Sequence, residues 1–246
     1  MRLKDKVAIV TGGANGIGRA IVLDFAKEGA NISIADIDLE NGKRVVEEIK
    51  ALGKKAITIK TDVTRKDDIN RMVKATLNEF GVIDILVNNA GGGAREKRSS
   101  FADETEEMTD MIIARNLKST LNCSHAIINH MMERRSGKIV NIASTCGING
   151  VPKEVTFSAA KAGVIIFTRA LAMELGPYGI NVNCVSPGAI DTPLAAQARA
   201  KAQENVKFKM GKPEDVASIV TFLVSDEASF INGQNYAVTG VFSMFG

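Results

Sequence analysis

Apolar residues in this chain come in short bursts, separated by longer segments in which they recur every three or four positions. A short β-branched burst bounded by turn residues reads as a buried strand, and a longer segment of period 3.6 reads as an amphipathic helix. Seven strands are predicted in this way, at 7–11, 31–35, 56–60, 83–87, 138–142, 180–185 and 235–239. Helices are expected over 16–28, 39–52, 66–80 and 157–175, with a long one over 104–133 that breaks near Arg115. A further helix restarts at Lys212-Pro213-Glu214-Asp215, with the proline near its first turn. The polar, Ala- and Lys-rich stretch at 195–209, within a wider region of about 190–212, reads as a mobile helical lid.

Continuous apolar strands alternating with helices call for a parallel sheet covered on both faces. Right-handed crossovers then make the fold a doubly wound, Rossmann-type α/β fold, with a seven-stranded, mainly parallel sheet in a single domain over 1–246. A TIM barrel competes at this length, but a glycine-rich turn directly after the first strand disfavours it. No repeat, low-complexity linker or domain boundary interrupts the pattern.

Composition narrows the function classes. With 246 residues, 45% of them hydrophobic, the chain can bury a sizeable core. A net charge of +3 spread along the chain, no Trp and two Tyr give neither a nucleic-acid footprint nor stacking surface. No apolar run approaches the roughly 18–20 residues of a membrane span. The N-terminus begins with charge, and the burst at 7–10 is too short for a signal-peptide core. Cys123, Cys146 and Cys184 are odd in number and lack metal-ligand spacing, which suits a reduced cytosol. The expectation is a cytoplasmic protein with no metal, no membrane and no nucleic-acid partner.

The candidate chemistry starts at Thr11-Gly12-Gly13-Ala14-Asn15-Gly16-Ile17-Gly18. Glycines let the backbone turn tightly and approach a pyrophosphate, while the next helix offers free N–H groups and a favourable dipole. Asp36 ends the second strand about 20 residues later, where an acidic side chain would bind adenosine ribose hydroxyls and repel a 2′-phosphate. Neither Asn15 nor Ile37 supplies a compensating cation, so NAD is expected over NADP. Asp62-Val63 follows the third strand, though Asp62 could equally cap a turn. Asn88-Asn89-Ala90-Gly91 follows the fourth.

In this order, these motifs resemble the short-chain dehydrogenase/reductases, and the resemblance runs over essentially the whole chain. It implies that Asp62 and Val63 lie against the adenine, and that Asn89, Ala90 and Gly91 hold the loop beside the cofactor. It also implies that Pro187, Gly188, Ile190 and Thr192 embrace the nicotinamide. By the same resemblance Asn116 holds a water in a proton relay and Ser144 hydrogen-bonds the substrate oxygen. Lys161 would contact the nicotinamide ribose and depress the pKa of a tyrosine four residues before it. In Thr156-Phe157-Ser158-Ala159-Ala160-Lys161 that tyrosine position holds Phe157. A benzene ring can neither give nor take a proton. The expected parent activity is NAD-linked hydride transfer between the cofactor and a secondary alcohol or ketone. Here it would be inactivated by an engineered Tyr-to-Phe change, with a natural NAD-binding pseudoenzyme as the alternative. Tyr178, Tyr236, His125 and His130 fall on no motif position, and both histidines are expected at the surface or an interface.

The resemblance further implies a substrate pocket lined by Gly92, Gly93, Arg95, Lys97 and Arg98, then by Cys146, Ile148, Asn149 and Pro152, and by Leu194. The basic run at 95–98 raises the possibility of an anionic or strongly polar substrate, beside the alternative of a solvated loop. A homotetramer is expected from the family likeness, built on the long helices that carry Asn116 and Lys161. The apolar tail at 241–246 would be buried at a subunit interface.

Overall fold

The structure is a computed structural model that describes residues 1–92, 100–193, 196 and 210–240. The expectations for Gly93, Arg95, Lys97, Arg98, Leu194, most of the lid and the tail lie outside the described residues.

The strands are β1 (Val7–Thr11), β2 (Asn31–Asp36), β3 (Ala56–Lys60), β4 (Ile85–Asn88), β5 (Gly137–Ile142), β6 (Ile180–Pro187) and β7 (Asn235–Val238). They form one seven-stranded sheet in the order β3-β2-β1-β4-β5-β6-β7. Every pairing is parallel, so the "mainly" of the sequence reading is not needed. Both faces are covered, which is why the strands are apolar throughout rather than alternating. Ala8, Val10, Ile32 and Ile34 point to one layer, formed by α1 (Gly16–Lys27), α2 (Leu39–Ala51) and α8 (Pro213–Val224). Ile9, Leu86, Ile139 and Val182 point to the other, formed by α3 (Lys66–Phe80), α5 (Ser119–Arg134) and α7 (Val155–Leu175).

The long helix predicted at 104–133 is divided. It consists of α4 (Glu106–Ile113), a π-helical turn (Ala114–Lys118) and α5, so the expected break near Arg115 is a widened turn and not an interruption. A short helix absent from the sequence reading, α6 (Cys146–Asn149), lies between β5 and α7. The fourth strand begins at Ile85, two residues later than expected, because the Ile83 N–H is taken by the Nε2 of His130 at 3.2 Å. His130 is therefore an acceptor at the amino end of the sheet, not a plain surface residue. Helix α7 with the turn after it, Val155–Tyr178, is long and apolar enough by composition to cross a membrane (mean hydropathy 1.4), contrary to the sequence expectation. Half of that apolar window is buried inside the protein, as in a core helix.

The order of strands reverses between β1 and β4, whose carboxyl ends lie side by side. Crevices outside such switch points are where ligands bind in this architecture.

Candidate active site

Backbone and side chains around the switch point are tied into one unit. The hydroxyl of Thr11 accepts the N–H groups of Asn89 and Ala90, each at 3.0 Å. The side-chain amide of Asn89 donates to the carbonyls of Thr11 and Gly12, both at 3.0 Å. Gly12 itself has φ +67°, and a Cβ on Gly18 would stand 2.0 Å from the Gly12 carbonyl, so no side chain fits there. Helix α1 then starts with no side-chain cap and no acidic residue in its first turn. Its N-terminal N–H groups face a glycine-lined turn, which is the donor set a pyrophosphate needs. On the outer side, a Cβ on Gly16 would meet only the Thr192 side chain, at 3.4 Å and 3.5 Å. Thr192 therefore overhangs the first turn of α1.

The loop that carries Thr192 is anchored where it leaves β6. The Pro187 carbonyl accepts the Thr145 N–H at 3.1 Å, and the Gly188 N–H donates to Val238 at 2.9 Å. Ile190 is buried, and the loop around it pairs with Gly211.

At the end of β2, each carboxylate oxygen of Asp36 holds one backbone N–H, from Ala14 and from Asp38, both at 2.9 Å. Asp38 follows as the N-cap of α2, its carboxyl held below the usual range chiefly by the Asn41 N–H. The Asn15 side chain donates to Asp38 at 3.2 Å and accepts from Asn41 at 3.4 Å, so it ties the glycine turn to α2. Val63 is buried. Asp62 takes the N–H and hydroxyl of Thr64 at 2.9 Å and 2.7 Å, and so does cap a turn.

Across the crevice, Asn116 sits inside the π-helical turn and is almost wholly buried. Its amide donates to the carbonyls of Ile112 and Gly92, and its oxygen accepts the Gly92 N–H at 3.0 Å. A Cβ on Gly91 would lie 2.9 Å from that oxygen and 3.5 Å from Nζ of Lys161, so both groups converge on this glycine. Lys161 is buried on α7, not solvated; its ammonium donates to the Ile142 carbonyl at 2.9 Å. Desolvation brings that ammonium down to about 8. Nζ lies 5.8 Å from the centroid of the half-buried Phe157 ring, one helical turn away. The Ser144 hydroxyl oxygen accepts the Cys146 N–H at 3.2 Å, which leaves its own O–H to donate outward. Cys146 is buried at the start of α6, and Asn149 is exposed at its end.

Two features escaped the sequence reading. Helix α6 carries Cys146 toward α7. Glu154, just before α7, is buried and accepts the Cys146 thiol at 3.4 Å. The sequence signal for Glu154 was an acidic residue at a helix start, which reads as a cap, although its side chain caps nothing. Neither tyrosine approaches Phe157. Tyr178 lies beyond the far end of α7 under the Arg135 guanidinium, and Tyr236 packs in the layer on the opposite face of the sheet.

A family model described as Enoyl-(Acyl carrier protein) reductase matches residues 12–242. The chain is 41% identical to the (2S)-[(R)-hydroxy(phenyl)methyl]succinyl-CoA dehydrogenase subunit of Thauera aromatica, over 100% of this chain and 99% of that one. It superimposes on levodione reductase with a TM-score of 0.93 at 31% identity, covering 100% of both chains. It superimposes on the 3-ketoacyl-(acyl-carrier-protein) reductase of Brucella melitensis, solved in complex with NADH, with a TM-score of 0.89 at 32% identity, covering 98% and 99%. With its parallel seven-stranded sheet and glycine-lined switch point, the chain belongs to the short-chain dehydrogenase/reductase family of oxidoreductases.

Proposed function

We propose that the chain binds NAD(H) and a secondary alcohol or ketone, and that its turnover is impaired because Phe157 stands where a phenol would exchange the proton. The observation that carries this is the buried Lys161 ammonium, which lies 5.8 Å from the centroid of a Phe157 ring that has no hydroxyl. The nicotinamide, when bound, supplies or takes up the hydride. Ser144 donates its O–H to the substrate oxygen and holds it in place. Lys161 donates toward the nicotinamide ribose and contributes positive charge where negative charge develops on oxygen. Asn116 fixes the Gly91–Gly92 backbone that floors the site. Phe157 preserves the shape of the pocket beside Lys161 but moves no proton.

Asp36 and Asp38 together favour NAD over NADP. Two carboxylates at the end of β2 receive ribose hydroxyls and repel a 2′-phosphate, and neither Asn15 nor Ile37 offsets them. The NADH complex of the Brucella relative supports the same choice. Titration of the protein with NADH and with NADPH tests it: NADH is expected to bind at least about tenfold more tightly, a preference of roughly 1.4 kcal/mol. Equal affinities would contradict the assignment.

The second reading, a natural NAD-binding protein without catalysis, draws on Phe157 itself. A homotetramer built through α5 and α7 accords with the apolar residues left exposed on α7, Ile166 and Met173. A cytoplasmic location accords with three buried free thiols.

A further inference from the structure

The chain enters β4 through Ile83 and Asp84, at the amino end of the sheet, and Ile83 is wholly buried. Buried backbone groups need partners, and here the last turns of α5 supply them. Nε2 of His130 accepts the Ile83 N–H at 3.2 Å, and the Arg134 guanidinium donates to the Ile83 carbonyl at 2.9 Å. Four residues apart, the two side chains share one face of α5. The same guanidinium donates to Asp84 at 2.7 Å, and the other oxygen of that carboxylate accepts the Val7 N–H at 2.9 Å. This face of α5 thus holds the entry to β4 and, through Asp84, the start of β1.

Within this cluster, the imidazole is the side chain whose charge changes near neutrality. Nε2 accepts a hydrogen bond only while it carries no proton, so the neutral ring bears its proton on Nδ1. Protonation turns Nε2 into a donor facing the Ile83 N–H, and the bond is lost. The charged groups acting on the ring are Arg134 and Glu133 on its own helix and Asp84 from the sheet. Burial above all, and then Arg134, hold the imidazole below its ordinary value, against the opposing pull of Glu133 and Asp84. The ring is half-buried, so protons from solvent reach it.

We propose that His130 makes the joint between α5 and β4 a pH-sensitive clamp, closed while the imidazole is neutral and released by acid. Above about pH 6.5 the ring is neutral in the folded and the unfolded chain alike, and the buried amide keeps its partner. As pH falls through about 6.5, the unfolded chain takes up a proton that the clamped state refuses. The stability contributed by the clamp is therefore present in full above that pH and is lost on acidification. The clamp lies at the end of the sheet opposite the glycine turn, so its test needs neither cofactor nor substrate.

The full chain carries two histidines, and His125→Gln, at an exposed position, leaves a single imidazole to follow by nitrogen NMR. At about pH 7.5 that ring is expected as the Nδ1–H tautomer, with a protonation midpoint below about 6.5. Hydrogen exchange of the peptide containing Ile83, read by mass spectrometry and corrected for intrinsic rates, follows the clamp itself. Between about pH 7.5 and about pH 5.5 the wild type is expected to lose at least about threefold more protection there than His130→Gln, whose amide oxygen accepts the N–H without titrating. His130→Leu has no acceptor and is expected to exchange at least about threefold faster than wild type already at about pH 7.5. Parallel loss of protection in the wild type and His130→Gln would overturn the proposal. So would unchanged exchange in His130→Leu, an Nε2–H tautomer, or a midpoint at or above about 6.5. If His130→Gln fails to fold, the tautomer and the midpoint decide.

Discussion

At position 157 an unsubstituted ring lies 5.8 Å from the buried ammonium of Lys161. Under the function proposed above, such a site orients a carbonyl and bears charge, while Phe157 moves no proton. Lys161 makes a separate residue-scale prediction. Its ammonium is brought down from 10.5 to about 8 by desolvation. Below pH 8 the native protein carries a buried charge at full cost. Between about 8 and 10.5 the unfolded chain holds a proton that the native state has released, so stability rises with pH. The rise attributable to Lys161 is on the order of 3 kcal/mol over that interval. Guanidinium melts of the protein and of Lys161→Met at pH 7.5, 9 and 10 isolate it. The variant is expected to lack the rise, and parallel curves would contradict the account.

At the level of elements, the glycine turn is held against the end of β4 by the side chains of Thr11 and Asn89. Asn89 spans Thr11 and Gly12 with two hydrogen bonds at 3.0 Å while its own N–H rests on the Thr11 hydroxyl. Asn89→Ala should weaken NADH binding by about tenfold and cost roughly 1–2 kcal/mol of stability, by leaving two carbonyls without donors. Unchanged NADH affinity in a folded variant would show that the clamp does not shape the site. The seven strands and the main helices were legible because each is long enough to show its period. Helix α6 was not: four residues make one turn and display no periodicity. The π-helical turn was visible only as a break near Arg115; within it Asn116 donates to the carbonyls of Ile112 and Gly92. The first residues of the fourth strand were misassigned because His130, distant in sequence, takes the Ile83 N–H. Asp36 could be read from its place at the end of the second strand, and Lys161 from the resemblance of its stretch to the family's Tyr-x-x-x-Lys helix. Glu154 could not, because its burial arises from α6 folding onto α7, and no local pattern encodes that contact.

In the whole molecule, the sheet buries both faces and leaves apolar residues on the outside of α7: Ile166 at 59% exposure and Met173 at 78%. Seven residues apart, they share one helix face and suit contact with a second copy of the chain. The double variant Ile166→Asp, Met173→Asp is expected to convert the proposed tetramer into smaller species in size-exclusion chromatography with light scattering. A wild-type protein already monomeric would contradict the assembly. The proposed function requires a binding framework, from glycine turn to lysine, in which Phe157 supplies no hydroxyl. The most direct measurement is NADH-linked reduction of a panel of ketones by the protein and by Phe157→Tyr, side by side. General acid–base catalysis is worth about 10²–10⁴-fold, so the tyrosine variant should turn over at least about a hundredfold faster with similar KM for NADH. Equal rates in the two proteins would contradict it.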